Sequence, residues 1–176
     1  MTLRPLSKID QLLLGVDKAL RAVVPHSNPS TRPLPVSSDE IPELTITEAR
    51  HVSGLMRINH TGEVCAQGLY HGQAFAAKDN GVKQAMQQSA EEEVDHLVWC
   101  ETRLSELGSH ASVFTPLWYG MSFGLGAVAG AISNEFSLGF VAETEAQVSE
   151  HLQDHIKQLP EHDQRSKEIL AQMDKE

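Results

Sequence analysis

Acidic side chains on the apolar faces of predicted helices are the feature that most constrains how this chain can fold. At about 100° per residue, Glu93 shares a helical face with apolar or small residues: Met86, Ala90, Leu97, Cys100 and Leu104. Glu145 and Glu63 interrupt two further stripes, formed respectively by Leu138, Val141, Val148, Leu152 and Ile156, and by Val52, Met56, Tyr70 and Ala74. Burying an isolated carboxylate costs several kcal/mol. Each acid therefore requires a positively charged partner.

A metal ion is the partner that the neighbouring residues favour. His96 follows Glu93 by three residues, and a Glu-x-x-His pair on a core face is a chelating geometry in helical bundles. Carboxylate and imidazole ligands with open positions suit iron that reacts with oxygen. A symmetric bundle would carry a second Glu-x-x-His after Glu145, on the last helix. Buried ion pairs with Arg57 or Arg103 are the structural alternative.

Other polar residues on these helices have less specific interpretations. The histidines that border the acidic faces are candidates to orient the carboxylates through hydrogen bonds, and they are His60, His151 and His155. Tyr70 is close enough to Glu63 to line a pocket, but core packing is the favoured role. Asp95 falls on the opposite side of its helix from Glu93 and is expected to face solvent.

Helical periodicity and proline content divide the chain into three parts. Residues 1–24 carry an N-terminal amphipathic helix, residues 25–43 form a proline-rich linker, and residues 44–176 form a helical bundle. The low aromatic content, 5%, suits a bundle better than a sheet. The periodicity predicts helices over residues 7–24, 45–78, 82–107, 136–158 and 163–176.

One stretch, residues 111–134, contains no ionisable side chain. It is long enough for a membrane span of about 20 residues, but four glycines and a proline dilute its apolar character. Small residues at helical spacing also favour close helix–helix packing. A buried helix, an interfacial membrane helix and a full span are therefore all consistent with the sequence.

Charge and cysteine content exclude several classes of protein. The net charge of −10 leaves no basic surface to displace counterions from a phosphate backbone, so nucleic acid is excluded as a partner. Cys65 and Cys100 form no CxxC pair, which favours a reducing compartment over a disulfide framework. The N-terminal residues show neither a secretory signal nor a transit peptide, as expected for a bacterial cytoplasmic protein.

Four motifs resemble a known family, the demethoxyubiquinol hydroxylases. They are RINHTGEVCAQGLYHGQ around Glu63, EEEVDHL around Glu93 and His96, PLWYGMSFGLGAVAG, and FVAETEAQVSEHLQDHI around Glu145. The resemblance extends from about residue 49 to the last residue, and the N-terminal helix and linker resemble those of bacterial members.

The resemblance implies an all-α, ferritin-like four-helix bundle with two iron ions. Carried over position by position, Glu63, Glu93, His96 and Glu145 match iron ligands of the family. Such enzymes are O2-dependent monooxygenases that hydroxylate a polyprenyl methoxy-methyl-benzoquinol during ubiquinone biosynthesis. The electrons come from an external reductant, for which NADH is the family candidate, although the chain carries no Gly-rich dinucleotide motif.

The same resemblance implies a peripheral membrane protein on the cytoplasmic side of a bacterial inner membrane. The polyprenyl tail requires an apolar entrance that faces the bilayer, and residues 111–134 are expected to form it. Other ubiquinone-biosynthesis proteins are candidate partners.

The chain departs from the family in its last helix. There the family carries a second Glu-x-x-His, whose glutamate would fall one residue beyond Glu176. A truncated fragment is the simplest interpretation. Two rival functions remain, namely another ferritin-like iron oxidase and a non-catalytic quinone- or lipid-binding partner in a biosynthetic complex.

Overall fold

The computed structural model describes residues 7–176, and within them every regular element is a helix. The six helices are α1 (Lys8–Val23), α2 (Ile46–Ala76), α3 (Asn80–Glu106), α4 (Thr115–Ile132), α5 (Asn134–Gln158) and α6 (Gln164–Met173). The predicted all-α class is confirmed. The first six residues of the predicted N-terminal segment lie outside the described residues.

Side-chain caps explain why the first two helices begin where they do. Ser7 and Asp10 form a capping box at α1, and Thr45 and Glu48 form the same motif at α2. Each pair satisfies backbone N–H groups that the first helical turn leaves without partners.

The last predicted helix is shorter than expected. It was predicted to run through Glu176, but α6 ends at Met173. The remaining residues turn so that the Glu176 carboxylate meets His96 and Arg32.

Four helices surround one apolar core, as in a ferritin-like bundle. Its buried members come from α2, α3, α5 and α6, and include Val52, Met56, Trp99, Leu104, Leu152, Ile169 and Leu170. Leu34 and Val36 of the proline-rich segment pack against the same core, and the Ser37 amide donates a 2.8 Å hydrogen bond to Glu168 on α6. The segment predicted as a linker is therefore attached to the bundle along its length.

Glycines bring α4 into close contact with α2. A Cβ atom added to Gly72 would overlap the Phe123 carbonyl oxygen, and one on Gly126 would overlap that of Leu69. A Cβ atom added to Gly68 would lie 2.6 Å from the Tyr119 carbonyl oxygen, which is also closer than van der Waals contact. Gly126 and Gly130 of the uncharged stretch thus serve helix packing.

The opposite face of α4 is apolar and exposed. Its exposed residues include Leu117, Trp118, Met121, Leu125, Val128 and Ile132, and α1 exposes Ile9, Leu13, Val16 and Leu20. The two helices are neighbours, because Ala22 of α1 and Tyr119 of α4 share one buried cluster. No helix within residues 7–176, including α4, is long and apolar enough to cross a membrane.

Replacing Gly72 with alanine is expected to lower the free energy of unfolding by about 1–3 kcal/mol, because the new methyl group meets the α4 backbone. Gly54 on the same helix has nothing within 4 Å of an added Cβ. Gly54→Ala is therefore the matched control, and it should stabilise by up to about 1 kcal/mol. Denaturant unfolding followed by circular dichroism measures both. Equal midpoints for the two variants would contradict the α2–α4 contact.

Candidate metal centre

Three of the four predicted site residues meet between α2 and α3. Glu63 comes from α2, and Glu93 and His96 come from successive turns of α3. One potential ligand atom from each lies within 4.8 Å of the other two. His96 Nδ1 lies 2.6 Å from Glu93 Oε2 and 3.9 Å from Glu63 Oε2. Glu63 and His96 are buried, at 5% and 6% exposure.

The electrostatics of this cluster favour additional positive charge. Burial raises the pKa of Glu63 well above its usual value, and the charge of Glu93 raises it further. Burial alone would lower the pKa of His96. The hydrogen bond with Glu93 and the charges of both acids outweigh burial and raise the pKa of His96 to about 9. Both shifts reflect negative charge concentrated in a space with little water.

The donor set fits a divalent metal ion. It offers two carboxylates and one imidazole, the oxygen and nitrogen donors that iron accepts. His96 Nδ1 faces the carboxylates, while Nε2 lies 2.8 Å from Glu176 Oε2. A metal-ligating imidazole commonly donates its second N–H to a carboxylate in this way, which fixes the ring orientation.

The fourth predicted residue, Glu145, approaches from α5 and is not part of the three-residue group. Glu145 is an exposed residue, and its Oε1 accepts a partly buried hydrogen bond from the Tyr70 hydroxyl. Partial burial raises the pKa of Glu145. Its negative charge also contributes to the raised pKa of Glu63.

The alternative prediction, that Arg57 or Arg103 neutralises these acids in a buried ion pair, is wrong. Arg103 is fully buried, and its Nη2 pairs with Asp163 at 3.0 Å. Arg57 donates instead to the His110 carbonyl at 2.9 Å and to the Ser109 hydroxyl at 2.6 Å. Both arginines are therefore engaged away from the acidic cluster.

The histidines proposed to orient the carboxylates have other contacts. His60 Nε2 lies 3.4 Å from Glu101 Oε1. His155 Nδ1 lies 2.8 Å from Asn59 Oδ1, and the His151 ring packs against that of His155 at 4.0 Å. None of these contacts involves a predicted ligand.

Asp95 does not face solvent, so this prediction was wrong. It is only 4% exposed because the proline-rich segment crosses α3 here. Its carboxylate accepts from the Thr31 amide and hydroxyl, both at 2.7 Å, from Arg32 Nε at 2.7 Å and from the Ser30 hydroxyl at 3.0 Å. Burial raises the pKa of Asp95, but these hydrogen bonds outweigh it and hold the pKa well below its usual value.

The same segment is linked to the candidate metal centre through the Trp99 ring. The Arg32 guanidinium lies 4.8 Å above the Trp99 ring, and Trp99 packs against the His96 ring at 5.3 Å. The only sequence signal for this anchor was a run of donor side chains, Ser-Thr-Arg, within a stretch rich in proline. Helical periodicity alone could not reveal it, because the partner lies more than sixty residues away.

Replacing Asp95 with asparagine is expected to lower the free energy of unfolding by about 1–3 kcal/mol, because buried donors then lose a charged acceptor. Glu91→Gln is the matched control, since Glu91 is exposed on the same helix, and should change stability by less than about 0.5 kcal/mol. Faster hydrogen exchange at the Thr31 amide in Asp95→Asn would locate the effect. Unchanged exchange there would contradict the contact.

Comparison with known proteins gives a consistent result. A family model described as ubiquinone biosynthesis protein COQ7 matches residues 50–176. The chain is 93% identical over 176 residues to a Psychrobacter arcticus protein named 3-demethoxyubiquinol 3-hydroxylase, covering 100% of the chain and 82% of that relative. Proteins of the same name from Ectopseudomonas mendocina and Acinetobacter baylyi are 57% and 56% identical, over 97% and 99% of the chain and 79% and 82% of the relatives. No solved structure matches significantly. With its four motifs, its helical bundle and this family match over most of its length, the chain belongs to the ubiquinone biosynthesis protein COQ7 family.

Proposed function

We propose that this chain is a monooxygenase of ubiquinone biosynthesis that hydroxylates a demethoxyubiquinol with O2. One oxygen atom of O2 enters a ring C–H bond, and the other leaves as water with two electrons and two protons. Relatives named for this reaction are up to 93% identical to the chain. The observation that carries the proposal is the buried group formed by Glu63, Glu93 and His96, since no ordinary side chain activates O2 by itself.

We propose that two iron ions form the cofactor, with Glu63, Glu93, His96 and Glu145 among their ligands. Iron would supply the activation of O2. Glu63 and Glu93 contribute negative charge from two different helices, which favours a multivalent cation over a single proton. The contact with Glu176 on the far side of His96 keeps the imidazole turned toward the acids. The electrons would come from an external reductant, with NADH as the candidate.

The rival functions remain distinguishable by experiment. Another ferritin-like iron oxidase would bind iron and consume O2 without hydroxylating a quinol. A non-catalytic quinone- or lipid-binding partner of a ubiquinone-biosynthetic complex would bind the prenylated ring whether or not iron is present.

Replacing Glu93 with alanine is expected to abolish quinol hydroxylation and to reduce iron bound after anaerobic loading with Fe(II). The physical reason is the loss of a carboxylate whose oxygen lies 2.6 Å from His96 Nδ1. The measurements are iron per chain and mass-spectrometric detection of hydroxylated quinol. Glu92→Ala is the matched control, because Glu92 is exposed one residue away.

Hydroxylation that survives Glu93→Ala would overturn the metal mechanism. Iron binding without quinol hydroxylation in the wild-type chain would favour the iron oxidase. Quinol binding that is indifferent to iron, again without turnover, would favour the non-catalytic partner.

We also propose that the chain associates peripherally with the cytoplasmic side of a bacterial inner membrane. The support is the adjacent exposed apolar residues of α1 and α4, such as Leu13, Leu125 and Val128. Apolar patches of this kind mark interaction sites. A polyprenyl substrate resides in the bilayer, so this face would bring the bundle to its substrate.

Val128→Glu is expected to lower partitioning onto phosphatidylcholine vesicles by about tenfold or more, because an exposed apolar side chain no longer enters the interface. Gln84→Glu adds the same charge at an exposed position of α3 and should leave partitioning unchanged. Vesicle flotation measures both. Equal flotation of the two variants would exclude α4 as the membrane-contacting face.

A further inference from the structure

Tyr70 is a buried polar side chain that the proposed chemistry does not yet use. It lies on α2, seven residues after Glu63 and therefore on the same side of the helix. The residue is 2% exposed. It belongs to one buried cluster with Ala74, Val82, Met86 and Ala90, and Val141 of α5 packs against this cluster. A buried tyrosine hydroxyl normally finds a hydrogen-bond partner.

That partner is the carboxylate of Glu145. The Tyr70 hydroxyl donates to Glu145 Oε1, and Glu145 lies one helical turn after Val141. Within residues 7–176 the Glu145 carboxylate makes no other side-chain hydrogen bond. The Tyr70 hydroxyl is thus its only direct polar link to α2.

Glu145 needs this link more than the other predicted ligands do. Glu63 and His96 are buried between α2 and α3, where neighbouring side chains restrict them. Glu145 is exposed on α5 apart from its partly buried contact with Tyr70. An exposed carboxylate is well solvated, so in the absence of a partner it would turn toward water.

We propose that Tyr70 is a positioning residue that holds the Glu145 carboxylate toward the side of α2 that carries Glu63, ready to bind metal. This inference rests on the proposed metal centre. The proposed centre then has two parts. Glu63, Glu93 and His96 are already assembled between α2 and α3, whereas the position of Glu145 on α5 depends on the Tyr70 hydroxyl. Hydrogen bonds of this kind orient ligands, and their loss typically weakens metal binding by about 10–100-fold.

The test is Tyr70→Phe, which removes the hydroxyl and keeps the ring. The expected result is Fe(II) binding weakened by about 10–100-fold under anaerobic conditions, with the unfolding midpoint of the metal-free chain nearly unchanged. Tyr119→Phe is the matched control, because the other tyrosine of the chain has its hydroxyl 2.9 Å from His71 Nδ1. Its Fe(II) affinity should equal that of wild type.

A double-mutant cycle with Glu145→Ala separates positioning from packing. If Tyr70 acts through Glu145, adding Tyr70→Phe to Glu145→Ala causes no further loss of Fe(II) affinity. An equal loss in both backgrounds would overturn the proposal, as would wild-type affinity in Tyr70→Phe alone. Absence of metal binding by the wild-type chain would instead overturn the proposed function, and this inference with it.

A spectroscopic test does not depend on the folding of Tyr70→Phe. Because the chain contains two tyrosines, Tyr119→Phe leaves Tyr70 as the only one. Its ultraviolet resonance Raman doublet reports whether the phenol oxygen donates a hydrogen bond. The doublet should show a strong donor in Tyr119→Phe and lose that character when Glu145→Ala is added. An unchanged doublet would overturn the proposal.

Discussion

Two carboxylates from different helices meet in a buried space between α2 and α3, and their mutual repulsion must be compensated there. His96 supplies part of the positive charge, as its pKa of about 9 indicates. The arginines that could have neutralised the acids are engaged elsewhere, since Arg103 pairs with Asp163 and Arg57 bonds to Ser109. A site with this excess of negative charge is suited to a multivalent cation, and the proposed oxygen chemistry depends on it.

The contact between α2 and α4 determines which surface of the molecule is apolar. Glycines on both helices let the two backbones approach closely on that side of α4. Several large apolar residues of α4, such as Leu125 and Val128, are displayed on the opposite side, beside those of α1. One helix thus packs against the ligand-bearing α2 and also offers the face that would meet a membrane.

The proline-rich segment contributes to both stability and the candidate site. Prolines prevent it from forming a helix, so its backbone groups are free to bond to the bundle. Thr31 and Arg32 satisfy the buried Asp95, and Arg32 stacks on Trp99 beside His96. A segment whose composition is typical of a linker therefore contacts residues that lie directly beside His96.

The sequence by itself determined which face of each helix carries an acid, because the helical period relates each residue to its neighbours along the same helix. The bounds of most helices and the inward direction of Glu63, Glu93 and His96 followed from that local geometry. Only the tertiary structure decided which side chains become partners. Asp95 is buried by a distant segment, Glu145 is bonded to Tyr70, and Arg103 is paired with Asp163. Such pairings depend on long-range packing between elements, and the periodicity of a single helix contains no information about them.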